Sequence, residues 1–306
     1  MIVETGLKHG NIMGVKVNST SQRQVLITLE EKLSDFSLKK PKVKPLFIVT
    51  PNPEQVTLAI NDKTYKEILN SADISLPDGV GLTSARAYLD LPVPKNALTG
   101  KIKTVVLLTQ GVTVGMGTLL RKNWVKKSLP LIHGRVMVEK IIKLAGEKAW
   151  RVAIVSGEVK QKHPAVISSH ILADKYPKAK FKGFTLPLFD LNGFPVNNAL
   201  LIQEKEIIDM INEYAPHVLF VGMTPPKQEY WTKRWIDKLN VGAVMLVGGT
   251  FDYIAGVVSL PPRWVSAIEM EWVWRLFTQK GRVKRVFTSF PMFPLKVFLH
   301  KAKQRG

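Results

Sequence analysis

The sequence predicts an α/β protein with a mostly parallel, Rossmann-like sheet and helices on both faces. Three observations predict it. Short apolar runs alternate with stretches that carry an apolar stripe at helical spacing, and those runs end in Pro, Gly, Asn or Asp. The composition, 45% hydrophobic and 22% charged over 306 residues, is that of a chain able to bury a full core.

Taken in order, residues 11–18 read as a short strand, and residues 21–36 place Val25, Leu26, Leu29, Leu33 and Phe36 near one helical stripe. Residues 46–50 are a buried-strand candidate that runs into Pro51, Asn52 and Pro53. A helix over 53–71 follows, with Pro53 in the first turn, where a missing N–H costs little. Residues 74–76 form a second short strand, ending at Pro77, Asp78 and Gly79. Further on, helices at 136–148, 164–176 and 227–239, and one ending over 209–214, alternate with strands at 150–156, 218–221 and 243–247. Loops at the carboxyl ends of strands are where open α/β sheets bind ligands, which directs attention to Asn52, Asp78, Gln228 and Gly248.

The charge is strongly basic and unevenly placed. Forty-four Lys and Arg oppose 24 Asp and Glu, for a net +20. Residues 91–138 hold eight bases and no acid, and residues 272–306 hold nine bases and no acid, so these segments carry 17 of the 20 net charges. Such an excess attracts phosphates on nucleotides, nucleic acids or membranes. The bases lie in apolar stretches rich in Gly and Pro rather than on an aromatic-studded sheet or a recognition helix, which argues against nucleic acid. The absence of cysteine excludes disulfides and thiolate nucleophiles, and the six histidines have no metal-binding spacing. The first ten residues lack the basic-then-apolar layout of a signal peptide, so a cytoplasmic chain is expected.

Two segments stand apart from the alternation. The run 105–120 is apolar and holds three glycines, but falls short of the ~18 to 20 residues of a spanning helix. A glycine-rich surface flap or a membrane-facing insertion over about 98–131 is expected. The tail, 280–306, combines bases with nine apolar residues from Val286 to Leu299, and Pro291 and Pro294 interrupt it. That composition suits a segment lying in the headgroup region of an anionic membrane, or one packed on its own domain. The expected organisation is a domain over 1–279 and a tail over 280–306.

Several residue clusters can carry chemistry. In Pro77-Asp78-Gly79-Val80-Gly81, Gly79 permits a tight turn and leaves the Asp78 carboxylate facing a cleft, as a general base requires; a plain Asp-Gly turn is the alternative. Asn52 can line the same pocket or cap the following helix. In Pro225-Pro226-Lys227-Gln228-Glu229, the loop N–H groups and Lys227 can face a diphosphate, and Gln228 offers an amide. Gly248, Gly249 and Thr250 form a second phosphate-side loop, and Asp252 can bind ribose hydroxyls or cap a helix. Arg275, Arg282 and Arg285, spaced by seven and three, share one side of a helix if it continues through Gly281. They would neutralise a departing diphosphate. No Asp-x-Asp pair occurs, so a metal-bridged diphosphate has no evident ligands, and neither metal nor cofactor is expected.

Read in order, Thr50-Pro51-Asn52-Pro53-Glu54, the Asp78 loop, Val221 to Glu229, Gly248 to Gly256, and Glu271-Trp272-Val273-Trp274-Arg275 with Arg282 and Arg285 resemble the WecG/TagA/CpsF glycosyltransferases. That is the family of the N-acetylmannosaminyltransferases that build linkage units of wall teichoic acid and enterobacterial common antigen. The resemblance implies Asp78 as catalytic base of an inverting sugar transfer, Thr50 and Asn52 beside it, and Arg135 as the family arginine that follows the aspartate. It also implies a donor pocket drawing on Gly79, Lys227, Gln228, Glu229, Gly248, Gly249, Thr250 and Asp252, and a C-terminal appendage with Arg275, Arg282 and Arg285 that closes over the site at the membrane. The partners implied are a UDP-sugar donor, a polyprenyl-diphosphate-linked glycan acceptor, an anionic membrane on its cytoplasmic face, and a further copy of the chain. Arg135 lacks the Thr-Gly and second Asp that usually follow it, and the insertion separates it from Asp78 by 57 residues. These departures fall on the acceptor side and leave the donor loops whole.

Overall fold

The computed structural model describes residues 8–34, 36, 44–94, 100–120, 123–127, 129–262, 265, 274 and 283–304. Its centre is a six-stranded parallel sheet formed by β3 (Leu46–Val49), β4 (Ile74–Ser75), β5 (Arg151–Ser156), β6 (Lys180–Thr185), β7 (Val218–Gly222) and β8 (Ala243–Leu246), in the order β4-β3-β8-β7-β5-β6. Alternate residues of each strand feed opposite cores, as a period of two dictates. Phe47, Val49, Ala153, Val155, Leu219, Val221, Val244 and Leu246 face one core, whereas Leu46, Ile48, Val152, Ile154, Val218, Phe220, Ala243 and Met245 face the other. Helices cover both. On the first side lie α2 (Pro53–Asn61), α3 (Lys63–Asn70), α4 (Val80–Asp90), α9 (Asn198–Tyr214) and α10 (Lys227–Trp235); on the second lie α1 (Gln22–Ser34), α7 (Gly134–Lys148), α8 (Pro164–Lys175) and α11 (Thr250–Ile254). The expected fold class is therefore the observed one.

Three local expectations are corrected. The single strand at 11–18 is an antiparallel hairpin, β1 (Lys8–Ile12) with β2 (Val15–Ser19), turned at Met13 and Gly14, where φ is positive at both. The helix over 53–71 is two helices, because the Asp62 side chain accepts the Tyr65 N–H and so caps α3 at the point where α2 ends. Strand β6, KFKGFT, was not anticipated, since an edge strand with two lysines shows no continuous apolar run.

The segment expected as an insertion is not a flap, and its apolar run is not too short to span. Gly100–Leu119 forms one helix, α5, of 20 residues, long and apolar enough by length and composition to cross a membrane. One of its glycines serves packing. A Cβ on Gly117 would lie 2.7 Å from the Trp124 ring of α6 (Asn123–Lys127), so only glycine allows that approach. Leu107 and Val114 are buried, the Tyr88 hydroxyl donates to the Leu107 carbonyl at 3.2 Å, and Ser84 and Thr118 hydroxyls meet at 2.8 Å, so α5 lies along α4.

The described part of the tail comprises α12 (Val283–Phe287), a turn over Thr288–Met292, and α13 (Phe293–Lys303). Phe290, which precedes Pro291, is extended (φ −156°, ψ 124°), as that position favours. Phe293, Val297 and Lys301, four residues apart, form the buried face of α13, so the tail packs on its own domain through that face. The Lys301 ammonium is buried yet donates to Tyr88 O, to Leu91 O at 2.8 Å and to Gln110 Oε1 at 2.7 Å. The expected boundary at 279 lies outside the described residues.

Candidate active site

The carboxyl ends of the parallel strands open into one cleft of about 770 Å³. Segments after all six strands reach it: Thr50 and Asn52 after β3, Asp78 after β4, Gly157 and Glu158 after β5, Leu186 to Phe189 after β6, Met223 to Gln228 after β7, and Val247 to Asp252 after β8. Arg135 and Arg285 complete the wall. Of the residues expected from the sequence, the cleft thus gathers Thr50, Asn52, Asp78, Arg135, Lys227, Gln228, Gly248, Gly249, Thr250, Asp252 and Arg285.

Asp78 is held by its own backbone: its N–H donates to Pro51 O at 2.8 Å, and Gly79 (φ +95°) then turns the chain into α4. The carboxylate stays about one-third exposed, and His133 Nδ1 lies 3.6 Å from Oδ1. A Cβ built on Gly134 would approach Thr50 Oγ1 to 3.3 Å and Asp78 Oδ2 to 3.4 Å, so the start of α7 is drawn against the carboxylate. Gly79 itself does not line the cleft; it shapes the loop.

Asn52 does both things left open for it. It lines the cleft and also caps α2, its Oδ1 accepting the Gln55 N–H at 3.0 Å while Gln55 Oε1 accepts the Asn52 N–H at 3.1 Å. The Thr50 hydroxyl donates to Leu246 O at 3.1 Å and joins β3 to β8. Thr250 turns its hydroxyl to Val247 O at 2.7 Å, which rigidifies the Gly248-Gly249 loop.

Glu229 is corrected outright: it is fully buried beneath the cleft and does not line it. Its Oε1 accepts from Gln55 Nε2 at 2.7 Å and from Gln228 Nε2 at 2.9 Å. Gln228 Oε1 in turn accepts the Gly248 N–H at 3.1 Å. One carboxylate therefore ties together the loops after β3, β7 and β8. Burial pushes its carboxyl up to about 7, against the opposing pull of the Gln228 and Gln55 amides. Gln228 is likewise nearly buried, its amide engaged in this network. The Lys227 ammonium donates to Phe189 O and so holds the β6 loop at the rim.

Among the described residues, two guanidinium groups line the cleft. Arg135 lies over the Tyr253 ring, 5.9 Å from its centroid. Arg285 donates twice to Glu54, Nε to Oε1 at 2.7 Å and Nη2 to Oε2 at 3.0 Å, which ties α12 to the first turn of α2. Arg275 and Arg282 lie outside the described residues.

Sequence reasoning missed His133, Gln55 and the structural part played by Glu54. The signal for Gln55 was present: an Asn followed three residues later by Gln before a helix is a capping box. His133 carried only its place directly before Gly134-Arg135.

Fold and cleft define the class, a Rossmann-like α/β protein that receives a ligand across the carboxyl edge of a parallel sheet. The chain matches the model of the Glycosyl transferase WecG/TagA/CpsF family over residues 10–101 and 107–306, and it belongs to that family; it is a glycosyltransferase. The break in the match falls within α5. It is similar to the N-acetylglucosaminyldiphosphoundecaprenol N-acetyl-beta-D-mannosaminyltransferase of Staphylococcus aureus (strain MRSA252), with 23% identity over 96% of this chain and 93% of the relative. The protein of the same name from strain NCTC 8325 / PS 47 is 22% identical over the same shares.

Proposed function

We propose that this chain is an inverting, metal-independent glycosyltransferase. It moves N-acetylmannosamine, or a related N-acetylhexosamine or uronic acid, from a UDP-sugar to a polyprenyl-diphosphate-linked glycan in cell-surface polysaccharide synthesis. The single observation that carries the reading is the Asp78 carboxylate, open to a cleft whose other walls are glycine-rich loops and two arginines. The names of the relatives support the sugar and the acceptor class.

In this reading Asp78 takes the proton of an acceptor hydroxyl as its oxygen attacks the anomeric carbon from the side opposite the diphosphate. The anomeric carbon–diphosphate bond breaks, UDP leaves, and the configuration inverts. Charge developing on the leaving diphosphate is met by the Gly249 part of the loop after β8, whose Gly248 N–H is already held by Gln228, and by Arg285. Such cations and dipoles take the part a bridging metal plays in other sugar-nucleotide transferases, and the lack of any Asp-x-Asp pair agrees with this. In this reading the enzyme works peripherally on the cytoplasmic membrane face, where it meets a lipid-anchored acceptor.

UDP release across a panel of UDP-sugars, with a lipid-diphosphate-GlcNAc acceptor and excess EDTA, tests the proposal. Release specific to UDP-N-acetylmannosamine or a close relative, undiminished by EDTA, is expected. Release only from other donors, or a strict need for added Mn²⁺, would overturn it.

A further inference from the structure

Helix α5 presents a stripe of unpartnered apolar side chains. Ile102, Val105, Leu108, Val112, Met116 and Leu119 recur at spacings of three and four and are each between 51% and 74% exposed. The opposite side of the helix is fixed to the body through Leu107, Val114 and the Ser84–Thr118 contact. So large a regular apolar stripe on a domain surface marks something that covers it.

We propose that α5 is an in-plane lipid anchor, which lies flat with this stripe in the headgroup–acyl boundary of an anionic bilayer. The proposal rests on the reading above only in that the acceptor is lipid-linked. Three observations choose the occupant. First, the segment around α5, residues 91–138, has eight bases and no acid, and Lys101 and Lys127 are exposed near the two ends of the α5–α6 unit, which complements anionic lipid. An isologous contact with a second copy would instead set two acid-free basic segments against each other. Second, the stripe is continuous with the tail. Lys103 Nζ donates to Ala302 O and Gln304 O at 2.8 and 2.9 Å, Lys301 reaches Gln110, and Leu295 and Leu299 are half-exposed on α13. The two helices form one platform. Third, α5 is bonded along its length, to Tyr88 through Leu107 O, to Pro92 O through Gln110 and to Ser84 through Thr118. Crossing the bilayer would break each of those contacts, whereas lying flat keeps them.

The test is co-sedimentation of the full chain with phosphatidylcholine vesicles, with and without phosphatidylglycerol. The wild type should bind the phosphatidylglycerol vesicles and release them at high salt. Val105→Glu combined with Val112→Glu should weaken that binding by about 100-fold, since two exposed apolar side chains that would enter the bilayer become charged. Met116→Glu with Leu119→Glu, on the same stripe, should repeat the loss. Ile171→Glu, an exposed apolar position on α8, should bind as the wild type does. Melting temperatures read alongside exclude unfolding of the variants. The proposal is overturned if the wild type ignores anionic vesicles or if both stripe variants bind as it does. It is also overturned if the stripe variants only turn a dimer into a monomer while keeping vesicle affinity, which would assign the stripe to a second copy. Wild-type UDP release on a short water-soluble acceptor, measured separately, tests the transferase reading without lipid, so the two can fail independently.

Discussion

His133 Nδ1 stands 3.6 Å from Asp78 Oδ1, so an imidazole lies beside the one carboxylate that the cleft takes from the loop after β4. They come from distant parts of the chain. The hydrogen bond from Ile132 N–H to Pro77 O, at 3.2 Å, lays the segment before α7 beside the Asp78 loop. His133 is thus held beside the carboxylate. Both groups are partly exposed, so the contact is worth about 1 kcal/mol at most. His133→Gln should slow transfer by about fivefold and leave the KM for the donor unchanged. A loss confined to donor KM would show that His133 acts on the donor instead.

Arg285 and Glu54 separate two roles of one ion pair. Arg285→Ala and Glu54→Gln both break the bidentate contact, and each should lower stability in urea unfolding by about 1 kcal/mol. Only Arg285→Ala should also cut kcat/KM, by about 10- to 100-fold, because it alone removes a charge from the leaving diphosphate. Equal kinetic losses in the two variants would assign Arg285 a purely structural part.

Much of the fold was legible because buried parallel strands read as apolar runs, and the four central strands, β3, β5, β7 and β8, were found to within a residue or two. The break between α2 and α3 was hidden, since Asp62 interrupts an apolar pattern that is otherwise continuous and only its side-chain bond to Tyr65 reveals a cap. In the site, residues on loops that follow strands were recoverable from position alone. Glu229 was not. A carboxylate next to a lysine and a glutamine looks like a surface binding residue, and only three-dimensional packing shows it sealed under Gln55 and Gln228.

Glu229 should impose a pH dependence on stability. Its folded-state carboxyl is raised to about 7 from an ordinary 4.5 by burial, so the folded protein holds this proton more tightly than the unfolded chain. The contribution is therefore greatest below pH 4.5, falls as pH rises through about 7, and is flat above. The full difference amounts to roughly 3 kcal/mol. Glu229→Gln should remove that slope from a plot of unfolding free energy against pH. An unchanged slope would place its origin elsewhere.

Lys301 should prove a stability determinant of the tail. Lys301→Met leaves Tyr88 O, Leu91 O and Gln110 Oε1 without this donor, at a cost of about 2 to 3 kcal/mol, measurable as an earlier urea midpoint. A midpoint within error of the wild type would mean that α13 is held by Phe293 and Val297 alone.

The most direct test of the central claim is the rate of UDP release by Asp78→Asn compared with the wild type, under saturating UDP-N-acetylmannosamine and lipid-diphosphate-GlcNAc acceptor, with donor affinity measured in parallel. The amide keeps the shape of the side chain and removes its basicity, so turnover should fall by about 10² to 10⁴ while donor affinity stays the same. Turnover within a few-fold of the wild type would contradict the assignment of Asp78 as the base on which this account of the cleft depends.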